Sequence, residues 1–305
     1  MPALPVAAAD APAAPSTPAG VTLRSDLAYD AHPRQRLDLY LPTGRMRAPR
    51  PVILYLHGGN WNSGSKAEGR ALALRFVAQG YAAACVDYRL SGDAEFPAQI
   101  EDCKSAVRWL RANARANGLD PEHIGVIGVS AGGHLAALLG AMNSSHLYES
   151  GASLDQPSKV QGVCVISAPL DLRQLYDASR ALGTPLAEDI VQLLGGPPAQ
   201  VPVPTAASDP IPFVDRDSPP FLILHGDRDP VVPLAQARRL YDAIVEQHFS
   251  AHLHVIHGAG NGGTAFFSPG ICAMVDEYFT QTLRRGTRPP ELDPAVLTES
   301  TAATP

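Results

Sequence analysis

Three observations on this 305-residue sequence predict an α/β fold with a mainly parallel central sheet. Short apolar runs of strand length alternate with segments of helical period, and strands separated by helices need crossover connections, hence parallel pairing. One such run, Ile124–Val129, passes without a break through Gly128-x-Ser130-x-Gly132 into the small-residue helix Leu135–Leu139. A buried strand that turns this sharply needs glycine two residues either side of the turning residue, because side chains there would strike the adjoining strand and helix. The third observation is compositional: 45% hydrophobic and 18% charged residues give a chain of this length enough apolar material for a substantial core.

Taken in order, Val21–Tyr29 and Arg36–Leu41 read as two β segments joined by a His32-Pro33 turn. Pro51–Leu56 is a short buried strand ending at His57-Gly58-Gly59, followed by a helix over 66–79 and the strand Tyr81–Val86. In Ala98–Ala116 the residues Ile100, Cys103, Val107, Leu110 and Ala114 recur at spacings of three and four, one apolar stripe of an amphipathic helix. Asp120-Pro121 closes that helix and opens the serine-bearing strand. Val160–Ser167 and Phe221–Leu224 are further strands. Residues 234–248 form a helix with Leu234, Ala237, Leu240, Tyr241, Ile244 and Val245 inward, then Ala251–Ile256 gives a last strand and Ala273–Leu283 a last helix.

Residues 171–218 interrupt the alternation. They carry seven prolines (185, 197, 198, 202, 204, 210 and 212), no strand signal and one short helical run, Ala187–Leu194. A long irregular insert leaving the C-terminal end of a strand is expected to act as a lid or binding loop over the serine. The expected organisation is therefore a disordered tail over 1–20, one α/β domain over 21–284 with 171–218 as its insert, and a second loose tail over 285–305.

A net charge of −6 and a pI near 5.9 argue against a nucleic-acid backbone or an anionic membrane as partner. No run of eighteen apolar residues is present to span a membrane. The four cysteines (85, 103, 164 and 272) are scattered in apolar runs and are expected as buried free thiols, and none joins a histidine in zinc-type spacing. No metal is expected. Residues 1–20 have neither a basic region nor an apolar block of signal-peptide length, although Ala7-Ala8-Ala9-Asp10-Ala11 bears a faint likeness to a cleavage site. A cytoplasmic location is favoured and secretion is the alternative.

Serine acyl transfer needs a nucleophile, an oxyanion hole, a base and a group that orients the base. Ser130 is the nucleophile, raised at a strand end beside a helix N-terminus where developing negative charge is favoured. The backbone N–H of Ala131 is one oxyanion donor. Gly59 and Asn60, in the His57-Gly58-Gly59-Asn60-Trp61 loop, are expected to supply the others, with His57 bracing that loop. For the orienting acid, Asp227 and Asp229 both follow the Phe221–Leu224 strand, where parallel sheets place their chemistry. Asp229 is preferred for the triad and Asp227 for the turn.

These stretches resemble the α/β-hydrolase superfamily, and within it the esterase/lipase branch with an HGG-type oxyanion loop that includes the bacterial feruloyl and acetylxylan esterase-like (BD-FAE) proteins. The likeness runs through Arg34–Pro42, His57-Gly58-Gly59 with Trp61, Asp87–Leu90, Phe96–Gln99 with Asp102 and Ala106–Leu110. It continues through Gly128–His134, Ser208–Ile211 and Pro220–Pro233, and so covers about residues 25–280. The resemblance implies hydrolysis of a small carboxylic ester through an acyl-enzyme, no cofactor, Ser130 as nucleophile and Asp229 as acid.

One position departs from it. Such proteins carry the catalytic histidine after the last strand, commonly in Gly-x-Gly-His-Gly, whereas this chain reads Gly258-Ala259-Gly260-Asn261-Gly262-Gly263. An amide cannot take the seryl proton, so Asn261 cannot serve as general base. Three readings follow: an active esterase whose base has been deliberately replaced, a pseudo-enzyme that binds a small molecule, or a base supplied by another histidine. His257 is the nearest stand-in for the last. The resemblance places His134 beside the serine without using it as base, and His248, His252 and His254 read as surface or packing residues. Amide hydrolysis of the formamidase kind is a further alternative, since a scaffold does not dictate its substrate.

Overall fold

A computed structural model describes residues 17–44 and 48–285, so the two predicted tails fall almost entirely outside the described residues. Eight strands form one sheet among them: β1 (Val21–Ala28), β2 (Arg36–Pro42), β3 (Arg50–Leu56), β4 (Ala82–Val86), β5 (Leu119–Val129), β6 (Gly162–Ile166), β7 (Phe221–Gly226) and β8 (Ala251–Ile256). They lie in the order β1-β2-β4-β3-β5-β6-β7-β8. The β1–β2 and β2–β4 pairs are antiparallel and every other pair is parallel. This is the α/β-hydrolase fold, and it sets β5, the serine-bearing strand, in the interior of the sheet.

The interior strands alternate between two apolar layers, as a sheet covered on both faces must. Val52, Leu54 and Leu56 of β3 join Val126, Val163 and Val165 beneath the helices Ala98–Ala112, Ala131–Ala141 and Leu234–Glu246. Ile53 and Tyr55 join Ile127, Cys164 and Leu222 beneath the helices Arg70–Ala78 and Pro269–Thr280. Gly125 keeps β5 bare on this second side, where a Cβ would lie 2.6 Å from the Phe279 ring.

Several expectations are corrected. The 171–218 insert is helical rather than irregular: beside the expected run, found as Leu186–Leu194, Leu172–Leu182 and Pro202–Ala207 are also α-helices. Pro185, Pro197 and Pro198 sit between these helices, Pro202 and Pro204 in the first turn of the last, and Pro210 and Pro212 beyond it at the short 3-10 turn Ile211–Phe213, all positions where no helical N–H is needed. Asp171 caps the first of them by accepting from Gln174 N. The predicted helix over Ala98–Ala116 is interrupted at Asn113 and closed by Gly118 (φ +65°), and β5 begins at Leu119, upstream of the expected Asp120-Pro121 break. Val245 is exposed rather than inward, and the buried polar residue of its helix is Gln236. Gln236 Oε1 accepts from both Leu170 N and Asp171 N at the root of the insert. Cys85, Cys103 and Cys164 are buried free thiols, whereas Cys272 is only half-buried. No helix among the described residues is long and apolar enough to cross a membrane.

Candidate active site

Ser130 sits between β5 and the helix Ala131–Ala141 with φ +51° and ψ −118°, a conformation that a non-glycine residue adopts only when its surroundings enforce it. The two flanking glycines show what enforces it. A Cβ on Gly128 would lie 2.1 Å from Gly132 O, and one on Gly132 would lie 2.2 Å from Leu56 O. Ser130 N donates to Ile166 O (2.8 Å), tying the turn to β6. The Ala131 N–H is at the first helical position, where the helix itself offers no acceptor.

The glycine-bearing loop from His57 to Ser63, the candidate oxyanion loop, follows β3 and reaches this turn. A Cβ on Gly58 would lie 3.6 Å from Ser130 Cβ, so the loop backbone runs against the serine. Gly59, Asn60 and Trp61 take φ values of +103°, +49° and +60° in succession. Behind them Asn62 N and Ser63 N both donate to Gly59 O (3.0 Å each). This folds the loop back on itself, with the Gly59 and Asn60 amides on the limb that precedes the closed turn. His57 braces it as expected: the ring is buried, stacks on Tyr88 at 4.3 Å and bonds Gly58 O through Nδ1. Burial lowers the His57 pKa.

Asp229 and Asn261 meet. The Asp229 side chain is fully buried; Oδ1 accepts from Val231 N (2.9 Å) and Val232 N (2.8 Å), and Oδ2 accepts from Asn261 Nδ2 (2.8 Å). Asn261 Nδ2 also points to Ser167 O (3.4 Å). A carboxylate and a carbonyl can only accept, so the amide orientation is set and Oδ1 is the atom left to face other groups. The loop then passes the residue before Ser130: a Cβ on Gly262 would lie 3.6 Å from Val129 Cγ1.

The other histidines are committed elsewhere. Trp61 Nε1–H donates to His134 Nδ1 (3.2 Å), which leaves the proton of His134 on Nε2, donated to Ser208 O (2.7 Å). Both ring nitrogens are used, and burial drives the His134 pKa down to about 4. His225 Nε2 donates to Val232 O (2.8 Å) and lies 3.5 Å from Asp229 Oδ2; its ring is buried, and burial lowers its pKa. His257 turns away into solvent, its side chain 76% exposed, and pairs with Asp227 (2.8 Å). Asp227 also accepts from Gly258 N, so it holds the turn as expected, and the His257 hydrogen bond lowers its pKa. His248 follows the helix Leu234–Glu246 at φ +62°, while His252 and His254 belong to β8, three strands from β5.

Two residues near the site escape sequence reasoning. Ser167, buried at φ +50°, receives the Asn261 amide on its carbonyl and Gly262 N on Oγ (3.3 Å). Its position at the C-terminal end of β6 is the signal that marks it. Asp189, in the helix Leu186–Leu194, accepts from Asn60 Nδ2 (2.8 Å) on one oxygen and from Asn62 Nδ2 on the other. Burial raises its pKa, and the two amides pull it back down. Nothing in the sequence separates this acid from its exposed neighbour Glu188.

Comparison with known proteins agrees with the fold. The BD-FAE family model matches residues 37–244. Esterase LipC of Mycobacterium tuberculosis is 33% identical over 242 residues, covering 78% of this chain and 59% of that protein. Esterase LipQ of the same organism is 33% identical over 232 residues, covering 72% and 52% respectively. This chain thus spans between half and two thirds of the length of these relatives. Among solved structures, a truncated carbohydrate esterase from gut microbiota superposes with a TM-score of 0.76 at 30% identity, covering 86% of this chain and 96% of that one. The extent of the family match, together with a serine elbow, a glycine-lined loop and a buried acid on one ester-hydrolase scaffold, shows that this chain belongs to the BD-FAE family of α/β-hydrolase esterases.

Proposed function

We propose that the site is built to hydrolyse a small carboxylic ester through an acyl-enzyme on Ser130, and that Asn261 in the place of the base leaves this chain strongly reduced in turnover. With a base at position 261 to take the Oγ proton and pass it to the departing alcohol, Ser130 Oγ attacks the carbonyl carbon, and the amides of Gly59, Asn60 and Ala131 hold the tetrahedral oxyanion. Collapse expels the alcohol, and water releases the acid. Asp229 is the orienting acid. The observation that carries this reading is the 2.8 Å hydrogen bond from Asn261 Nδ2 to a carboxylate whose side chain is fully buried. In a serine triad that same carboxylate position receives an imidazole N–H. The relatives, an esterase and a carbohydrate esterase, agree with a small ester as substrate.

A second reading, a pseudo-enzyme that binds rather than hydrolyses, draws on the same residue, since Asn261 occupies the position with both amide protons engaged. Serine-directed labelling separates the two. A fluorophosphonate should modify Ser130 in Asn261→His protein and fail to modify its Ser130→Ala derivative. Labelling elsewhere, or none at all, favours the binding protein.

A further inference from the structure

We propose that Asp189 is a positioning residue for the oxyanion hole: from the insert, its carboxylate clamps the side-chain amides of Asn60 and Asn62 and so holds the Gly59 and Asn60 backbone N–H groups toward Ser130. The catalytic consequence rests on the ester-hydrolysis reading above.

The oxyanion loop is a strained piece of chain that needs external support. Two of its three successive positive-φ residues, Asn60 and Trp61, carry side chains, and such backbone persists only where the surroundings over-determine it. Three sets of contacts provide that support. His57 and Tyr88 brace the root, and the Trp61 indole is tied to His134. The third is Asp189, which gives one oxygen to each of two amides two residues apart and so spans the bend of the loop. Its helix is anchored independently of the loop: Leu186, Ala187, Ile190, Leu193 and Leu194 are buried, and Leu193 O accepts from Phe96 N (2.7 Å). Asp189 is therefore on a fixed support, and the loop is the part that is held.

The chemistry of the pair is asymmetric. A carboxylate only accepts and can serve two N–H donors at once, whereas an amide at 189 has one acceptor oxygen and would confront the second asparagine with another donor. The same negative charge near a developing oxyanion disfavours it by Coulomb repulsion, so positioning and repulsion predict opposite effects when the charge is removed.

The experiment compares Asp189→Ala and Asp189→Asn in the Asn261→His background, with p-nitrophenyl acetate as substrate. It adds backbone amide hydrogen exchange over 57–64 in the otherwise unaltered chain. Loss of an oxyanion donor costs about a hundredfold or more in kcat, and displacement of two should cost at least about tenfold. The expected result is that fall in kcat with KM within about twofold, as for an interaction made mainly in the transition state. Exchange over 57–64 should quicken by about tenfold while the rest of the chain is unchanged. In an Asn60→Ala/Asn62→Ala background, Asp189→Ala should have little further effect on kcat, because the clamp is already gone.

Unchanged kcat and unchanged exchange in both variants would overturn the proposal. So would a rise in kcat for Asp189→Asn, or a full tenfold cost persisting in the double-alanine background. If Asn261→His is inert, the hydrolytic reading fails and the catalytic part of the proposal falls with it. Exchange over 57–64 then decides alone whether the clamp exists.

Discussion

Restoring a base at residue 261 is the perturbation that bears most directly on the site. The amide nitrogen of asparagine and Nδ1 of histidine are each one bond beyond Cγ, so Asn261→His offers an N–H to Asp229 Oδ2 where one already stands at 2.8 Å. The buried acid is pre-set to receive it, with two backbone N–H groups holding Oδ1 and no rearrangement required of the turn. Removal of the base from a serine triad costs about 10⁶ in turnover, and much of that is recoverable where the remaining geometry is intact. A gain of at least about a hundredfold in kcat/KM is expected, equivalent to about 2.7 kcal/mol of transition-state stabilisation. The assay is hydrolysis of p-nitrophenyl acetate between pH 5 and 9 with wild-type, Asn261→His and Asn261→His/Ser130→Ala proteins. Activity should rise with pH as the imidazole loses its proton, around its ordinary pKa near 6.5, and vanish in the Ser130→Ala derivative. No gain, or a gain that survives loss of the serine hydroxyl, would refute the assignment of residue 261 as the base position.

Two further outcomes follow from buried groups. His134 is neutral in the fold with its pKa pushed down to about 4, so the unfolded chain binds the extra proton between there and about 6.5. Stability contributed by this residue is present above about pH 6.5 and is lost as pH falls toward 4, amounting to about 3 kcal/mol. Urea unfolding at pH 7.5 and 4.5 should show a drop for the wild type that His134→Gln reduces by an amount of that order; equal drops would contradict it. Asp102 is fully buried and accepts from Arg89 N, Arg89 Nε, Arg89 Nη2 and Gln35 Nε2, so Asp102→Ala leaves several donors without their acceptor. It should cost about 3 kcal/mol, read as a fall in the urea midpoint, and a loss below about 1 kcal/mol would count against the network.

Much of this was legible in the sequence, for a physical reason. The elbow at Ser130 depends on glycines at fixed offsets, and the strands depend on a two-residue alternation, so local composition carries both. That Asp229 is a buried carboxylate just beyond a strand was legible because it lies three residues past β7, at the C-terminal end of the sheet. Of the helices of 171–218 only Leu186–Leu194 was: Leu172–Leu182 and Pro202–Ala207 were hidden because the prolines of this stretch mimic the signature of irregular chain, yet lie between helices, in a first turn or beyond the last helix. Asp189 and Ser167 were also hidden. Their roles depend on partners 129, 127 and 94 residues away in sequence, and no local spacing encodes contacts of that range.

Trp61, His134 and Ser208 thread three distant stretches of chain onto one line of hydrogen bonds. That line sets where the molecule can be cut and rejoined. A chimera that borrows a differently shaped cap for residues 172–207 leaves the thread whole and forfeits only what the borrowed helices fail to supply. A seam placed beyond Ser208 puts that carbonyl on borrowed chain, whose course then decides whether the imidazole, and with it the indole, keeps its partner. The modular frontier of this scaffold therefore lies just ahead of Ser208.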